Sequence, residues 1–225
     1  QNRSMYTEYQ PSHLLVPYID SYWEFKGNPD YGMRIHILPD GCTDFIFTLG
    51  EVANAVEEGS LIMQPYRSYF VGPMTKYSEL VTYTESIHMF GVRFLPCGLS
   101  CFTNLPLHEF VNSRVSTNEM KAVFDDTFIE KLGEQKHVTD RIRVVEEYLL
   151  AYLARHYQPA DSHVAMAVNM INHSKGKRSV RSLMDDVCLC QRHFERKFKH
   201  YTGFTPKEYS RIVKFKNAVE LLRTT

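Results

Sequence analysis

No apolar run in this chain approaches the ~18 residues that would cross a membrane. Glycine (11) and proline (10) are sparse and scattered, with no repeat or low-complexity tract, which excludes a fibrous or disordered chain. Cysteine is scarce and odd in number, five residues, and no secretory leader is expected. A disulfide scaffold is therefore not expected, and free thiols in a reducing cytosol are. Cys188-x-Cys190 and Cys97-x3-Cys101 each lack the second half of a zinc site, so they read as small core residues. The catalytic signatures are missing too. There is no nucleophile elbow, no glycine-rich phosphate loop and no His-x-His metal cluster. His36 and His88 each stand alone on an expected strand, so they read as structural histidines. No metal, cofactor or catalytic residue is expected.

Net charge is also missing, but only in the total. From residue 174 onward there are 13 Lys/Arg against 5 Asp/Glu, or +8; the remainder holds 13 against 21, or −8. A basic half joined to an acidic half suggests one part that meets a polyanion and one that does something else. With 225 residues, 44% hydrophobic and 23% charged, the chain can bury two cores.

The most legible stretch is 179–222. Ser179 is positioned to cap a short helix over 180–186, with Val180, Leu183, Met184 and Val187 on one face. A tight turn at 187–189 leads into a helix over about 190–201. Gly203 follows, where a positive φ is wanted. Thr205-Pro206-Lys207-Glu208 is a capping box with proline at the first helical position, so a third helix starts there. Two short helices joined by such a turn form a helix-turn-helix. In the second helix Cys190, Phe194, Phe198 and Tyr201 share one face, and Arg192, Arg196 and Lys199 share the opposite one with Glu195 beside them. A cationic row on a rigid helix suits phosphate and guanine contacts; an ordinary solvated face is the plainer alternative.

Three runs, Arg192-x-Phe194-Glu195-Arg196-x-Phe198, Gly203-Phe204-Thr205-Pro206-Lys207 and Tyr209-x-Arg211-x-x-Lys214-Phe215, resemble the DNA-binding domain of AraC/XylS-type bacterial transcription regulators. The chain departs from the family at Cys188, where a glycine is usual, at Met184, where a small residue is usual, and at the N-cap Cys190. The resemblance implies that Arg192, Glu195 and Arg196 reach base edges, flanked by Gln191 and Lys199. Arg178, Ser179, Arg181 and Ser182, and Lys207, Arg211 and Lys214, are candidates for phosphate contact. The family carries a second helix-turn-helix after the long helix. The chain ends at Thr225 without it, so a truncated chain is expected, with a short natural protein as the alternative. Gln1-Asn2-Arg3-Ser4 reads as residues added ahead of a natural start at Met5.

Residues 6–100 read as mostly β. Strands are expected at 22–25, 34–38, 43–49, 68–71, 78–83 and 86–94, separated by turn signals such as Pro39-Asp40-Gly41. Tyr22, Trp23, Phe45, Phe47, Tyr69, Phe90 and Phe94 are expected in the core. The patches ILPDGCTDFIFTLG and FGVRFLPCGLSCFTNLPLHEF resemble the sensor domains of some of the same regulators, which implies a cupin-like sandwich or barrel. Ser116-Thr117-Asn118-Glu119 reads as a capping box opening a helix to about residue 132. Val138, Ile142, Val145, Leu149 and Tyr152 then form a seam of alternating four- and three-residue spacing within a helix ending near 157. The seam is either a homodimer contact, as the resemblance implies, or packing against its own β domain. Gln158-Pro159-Ala160-Asp161 marks the domain boundary, and Ser162 is expected to cap the next helix, with Val164, Ala167, Val168 and Ile171 inward.

The expected fold class is α+β: a β-rich domain with two following helices over 1–157, then an all-α helix-turn-helix domain over 162–225. The expected function is a cytoplasmic, sequence-specific regulator that binds double-stranded DNA, with a small-molecule effector or a dimer contact in the β half. An enzyme built on a β-domain pocket, with the basic half as an accessory, is the alternative.

Overall fold

The computed structural model describes residues 5–57, 59–120, 123–124, 127–187 and 189–224. Nine strands come first: β1 Tyr6–Tyr9, β2 Ile19–Gly27, β3 Met33–Ile37, β4 Thr43–Thr48, β5 Asn54–Ala55, β6 Ser68–Val71, β7 Ser78–Thr82, β8 Ile87–Phe94 and β9 Arg114–Ser116. Six helices follow: α1 Phe128–Gly133, α2 Val138–His156, α3 Ser162–His173, α4 Val180–Val187, α5 Gln191–Thr202 and α6 Pro206–Thr224.

The strands form two antiparallel sheets, one six-stranded in the order β1-β2-β8-β4-β6-β9 and one three-stranded in the order β3-β7-β5. The larger sheet is covered on both faces, which is why β4 and β8 read as nearly continuous apolar runs. The period-two rule sorts their side chains. Tyr22, Phe45, Phe47, Phe70, Phe90, Val92 and Phe94 point to one side, where they pack with Phe124, Phe128, Leu132, Val145 and Leu149. Trp23, Phe25, Ile46, Tyr69 and Met89 point to the other, where they meet Leu80, Met33 and Ile35 of the smaller sheet. All seven aromatics expected in the core are buried.

Helix α2 is tied to the sheet by a buried cation. The Arg141 guanidinium donates to Glu24 Oε1 at 3.0 Å and to the carbonyls of Leu132 and Gln135. Glu24 also bonds His88 at 2.9 Å, so His88 is a structural histidine; His36 is held by the Tyr77 hydroxyl. The 138–152 seam faces inward. Val145 and Leu149 are fully buried, and Val138, Ile142 and Tyr152 lie against the same core. Packing against the seam's own β domain thus uses Val145 and Leu149 fully and Val138, Ile142 and Tyr152 in part.

The expected helix over 116–132 does not form as one element. Pairing of β9 with β6 draws Thr117 into the core, where its hydroxyl bonds Ser68 Oγ at 2.5 Å. Thr117–Glu119 is a single 3-10 turn, Ser116 makes no side-chain cap, and Met120 is extended. Only the end of the expected helix survives, as α1. The expectation for 121, 122, 125 and 126 lies outside the described residues. At the next boundary the cap shifts by one position. Asp161, not Ser162, accepts from the N–H groups of His163 and Val164. A charged carboxylate there also complements the positive end of the helix dipole.

Candidate nucleic-acid interface

The helical half is built around one cluster: Val164, Ala167 and Ile171 from α3, Leu183 and Val187 from α4, Phe194 and Phe198 from α5, and Phe204, Tyr209, Ile212 and Val213 around α6. Ser179 Oγ accepts from the Ser182 N–H, which caps α4 as its sequence suggests. The joint between α4 and α5 holds Leu189 against this cluster; Cys188 lies outside the described residues. Met184, half-buried, packs on the same cluster. Gly203 ends α5 in the left-handed region with φ 81°, and its N–H donates to the Lys199 carbonyl. Thr205 and Glu208 then cap α6 reciprocally: Thr205 N–H to Glu208 Oε2 at 2.7 Å, Glu208 N–H to Thr205 Oγ1 at 3.2 Å.

With Phe194 and Phe198 anchored, the far side of α5 is set rigidly. Gln191, Arg192, Arg196 and Lys199 are exposed along it, with Glu195 half-buried between. Gln191 donates to Glu195 at 2.9 Å, and Arg196 bonds His193 at 3.0 Å. The N-cap Cys190 makes no side-chain hydrogen bond, which leaves the first-turn N–H groups of α5 unsatisfied by a cap. Arg181 on α4 and Lys207, Arg211 and Lys214 on α6 are exposed as well. Arg178 is committed elsewhere. Its guanidinium donates to Ser182 Oγ at 3.0 Å and pairs with Asp186, so Arg178 and Ser182 hold each other rather than standing free.

Sequence reasoning missed how this helix is mounted. Lys197 donates to Asp161 at 2.7 Å, which links α5 to the start of α3. Burial would raise the Asp161 carboxyl, but Lys197 and two backbone N–H groups more than offset this and hold it below the ordinary carboxylate range. At the other end of α5 the β half reaches over. A Cβ on Gly203 would stand 2.5 Å from Pro73 Cγ and 3.2 Å from the Leu107 carbonyl oxygen. The 3-10 helix Leu107–Phe110 packs on α5, and His108 faces His200 with ring centroids 6.3 Å apart. On α6, Tyr209 abuts Gly41 of the Pro39-Asp40-Gly41 turn and donates to Asn172 at 3.0 Å. Pairwise approaches of this kind leave no local pattern to find.

Cys190, expected to face the core, is instead exposed at the start of α5. Cys42, Cys97 and Cys101 are buried and free; burial pushes all three thiols up, Cys97 to about 12. Among the described residues no three His, Cys, Asp or Glu side chains gather as a metal site. No helix among them is long and apolar enough to cross a membrane.

Comparison with known proteins bears on the architecture. A family model described as "Domain of unknown function (DUF6597)" matches residues 7–116, the span of the two sheets. No curated protein matches the sequence. The 1.65 Å structure of ToxT from Vibrio cholerae, an AraC-family regulator, aligns with 91% of this chain and 85% of its own at 8% identity and a TM-score of 0.50. The two share a fold. A second ToxT structure, from Vibrio cholerae O395 and bound to (E)-4-(8-methylnaphthalen-1-yl)but-3-enoic acid, aligns over the same shares at 8% identity with a TM-score of 0.46. The likeness to the first lies in the arrangement, a β domain followed by a helical one, with α5 in the helical part.

Proposed function

We propose that this chain is a DNA-binding transcription regulator of the bacterial cytoplasm that reads sequence through α5, with the β domain as its sensing half. One observation carries the reading: α5 is buried through Phe194 and Phe198 while Arg192, Arg196 and Lys199 stand exposed on its other side, in the half that carries +8. Arginine is the side chain best suited to the paired acceptors of guanine in the major groove, and lysine to phosphate. The start of α5, which has no side-chain cap, favours phosphate oxygens nearby. Arg192, Glu195 and Arg196, flanked by Gln191 and Lys199, are assigned to base edges. Arg181, Lys207, Arg211 and Lys214 are assigned to the backbone, with Ser179 and Ser182 serving α4 itself.

Selection of bound duplexes from random DNA, followed by fluorescence anisotropy on the selected site, tests this. Arg196→Ala is expected to cost about 1–3 kcal/mol of specific binding and to relax preference at one base pair. Lys214→Ala is expected to weaken all sequences alike and to lower the salt slope by about one. No selected motif, or an Arg196→Ala protein that stays folded and keeps both affinity and preference, overturns the reading.

A further inference from the structure

A cavity of about 350 Å³ is lined by residues of both sheets, Val71, Arg114 and Val115 of the larger and Ser78 of the smaller. Its walls come from three places: the loop around Glu57 and Leu61, the segment 71–78, and the segment 112–115. Most of what faces it is polar, including Glu57, Lys76, Ser78 and Arg114. At one side Lys76 pairs with Glu57 at 2.6 Å, and both are exposed, so that pair is neutral and wet. Arg114, on β9, is half-buried. Among the described residues its guanidinium makes one hydrogen bond, to Ser78 Oγ at 3.1 Å. A planar group with five N–H donors then has donors left for an acceptor in the cavity. Burial pushes the Arg114 guanidinium down, with Glu57 opposing. A desolvated cation of this kind gains most from an anion that can take two parallel N–H bonds, a carboxylate or a phosphate.

The same two wall segments continue directly into the mount of α5. Gly72 N–H donates to the Ser113 carbonyl at 3.0 Å, and Asn112 N–H donates to the Pro73 carbonyl at 2.9 Å. The Asn112 side chain closes the link, accepting from Thr75 N–H at 2.9 Å and donating to its hydroxyl at 2.8 Å. A Cβ on Gly72 would meet the Phe110 carbonyl oxygen at 1.9 Å, so backbone lies on backbone there. Pro73 and Leu107 are the residues that close on Gly203 at the end of α5. Arg114 and Ser78 are thus joined through a short, hydrogen-bonded unit to the residues that close on the C-terminal turn of α5.

We propose that this cavity binds a small polar metabolite through an anionic group on Arg114, and that its occupancy alters the hold of the β domain on α5. The binding half stands without the DNA reading; the regulatory half rests on it.

The experiment uses the full chain and a panel of probes: inorganic phosphate, succinate, citrate, glycerol 3-phosphate and glucose 6-phosphate. Binding is followed by isothermal titration for the wild type, Arg114→Gln, Lys76→Gln and Arg196→Ala, each checked for fold by circular dichroism. The expected result is saturable binding of at least one probe, weakened roughly tenfold or more in Arg114→Gln and unchanged in Arg196→Ala. Should Arg114→Gln not fold, Ser78→Ala, which loosens the same guanidinium, is expected to weaken binding instead. Carboxylate and phosphate sources are separated by which probes bind. Hydrogen exchange with the bound probe is expected to slow in 198–204, at the end of α5. No saturable binding across the panel, or binding lost in Arg196→Ala rather than Arg114→Gln, overturns the site. Binding with unchanged exchange in 198–204 overturns the coupling. Loss of DNA binding on its own overturns neither of these, because both readouts are taken without DNA.

Discussion

Gly91 shows how one missing side chain arranges a core. It sits opposite Trp23 in the β2–β8 pairing, and a Cβ there would stand 1.9 Å from the indole ring. The open space lets the ring lie flat on the sheet and donate Nε1–H to Asp44 Oδ1 at 2.6 Å. Asp44 also accepts from Arg93 at 3.2 Å, and Arg93 reaches Asp40 and Glu8. One network thus joins β1, β2, β4 and β8. Burial opposes the Arg93 charge, but Asp44 and Asp40 more than offset it and hold the guanidinium as a cation. Gly91→Ala is expected to displace the indole, break its bond to Asp44 and cost about 1–3 kcal/mol, the usual penalty of overpacking. Trp23 is the single tryptophan, so its emission spectrum reports the change directly, and denaturant titration gives the cost. An unshifted spectrum at unchanged stability would show that the ring does not rest on Gly91.

Helices α2 and α5 carry equally clear stripes with different fates. On α5 the apolar stripe is buried within the helical part, by Val164 and Ile171 of α3 as well as Leu183, Val187, Phe204 and Tyr209, and the charged face follows from the spacing along α5 itself. On α2 the stripe is buried by Tyr22, Phe90 and Phe102, contacts across more than forty residues of chain. Spacing reveals that a stripe must be covered, not whether the cover is another part of the chain or another copy of it. Val145→Asp now has a definite expectation. The carboxylate would enter a dry core with no partner, and the β domain should unfold rather than release a soluble monomer. Circular dichroism with sedimentation separates the two outcomes; a folded, soluble variant would return the seam to the protein surface.

The β domain and the helices after it meet at several points among the described residues, including Cys97 within the helical cluster, Gly41 on Tyr209, Pro73 and Leu107 on Gly203, and His108 opposite His200. The last pair makes the junction sensitive to pH. Burial and then His108 disfavour the imidazolium of His200, with Glu109 opposing, so it titrates below the ordinary 6.5. His108 and Glu109 face it from the 3-10 helix, and the Tyr201 ring from α5 itself. In the window just below that value the unfolded chain binds more protons on this group than the folded one. The stabilisation is therefore complete above the ordinary pKa and declines as pH falls through it. Lowering pH from about 7.5 to about 5.5 is expected to reduce the thermal midpoint more in the wild type than in His200→Asn. Equal pH dependence of the two would remove His200 from the junction's response.

Much of the candidate interface was legible because its causes lie within a few residues of each other. The Ser179 cap, the left-handed Gly203, the Thr205–Glu208 box and the two faces of α5 are all settled by interactions spanning two to four positions. The excess of positive charge after residue 174 needs no geometry at all. Most of the strands could be read from apolar runs and turn residues for the same reason. The order of the strands, the diversion of Thr117 onto Ser68 across 49 positions, the capture of Arg178 by Asp186 and the mounting of α5 on Pro73 and Leu107 could not. Capping and periodicity act between neighbours, whose separation in space the chain itself constrains. Pairing between distant segments has no such constraint, and which of several possible partners wins is settled only when the whole core packs at once.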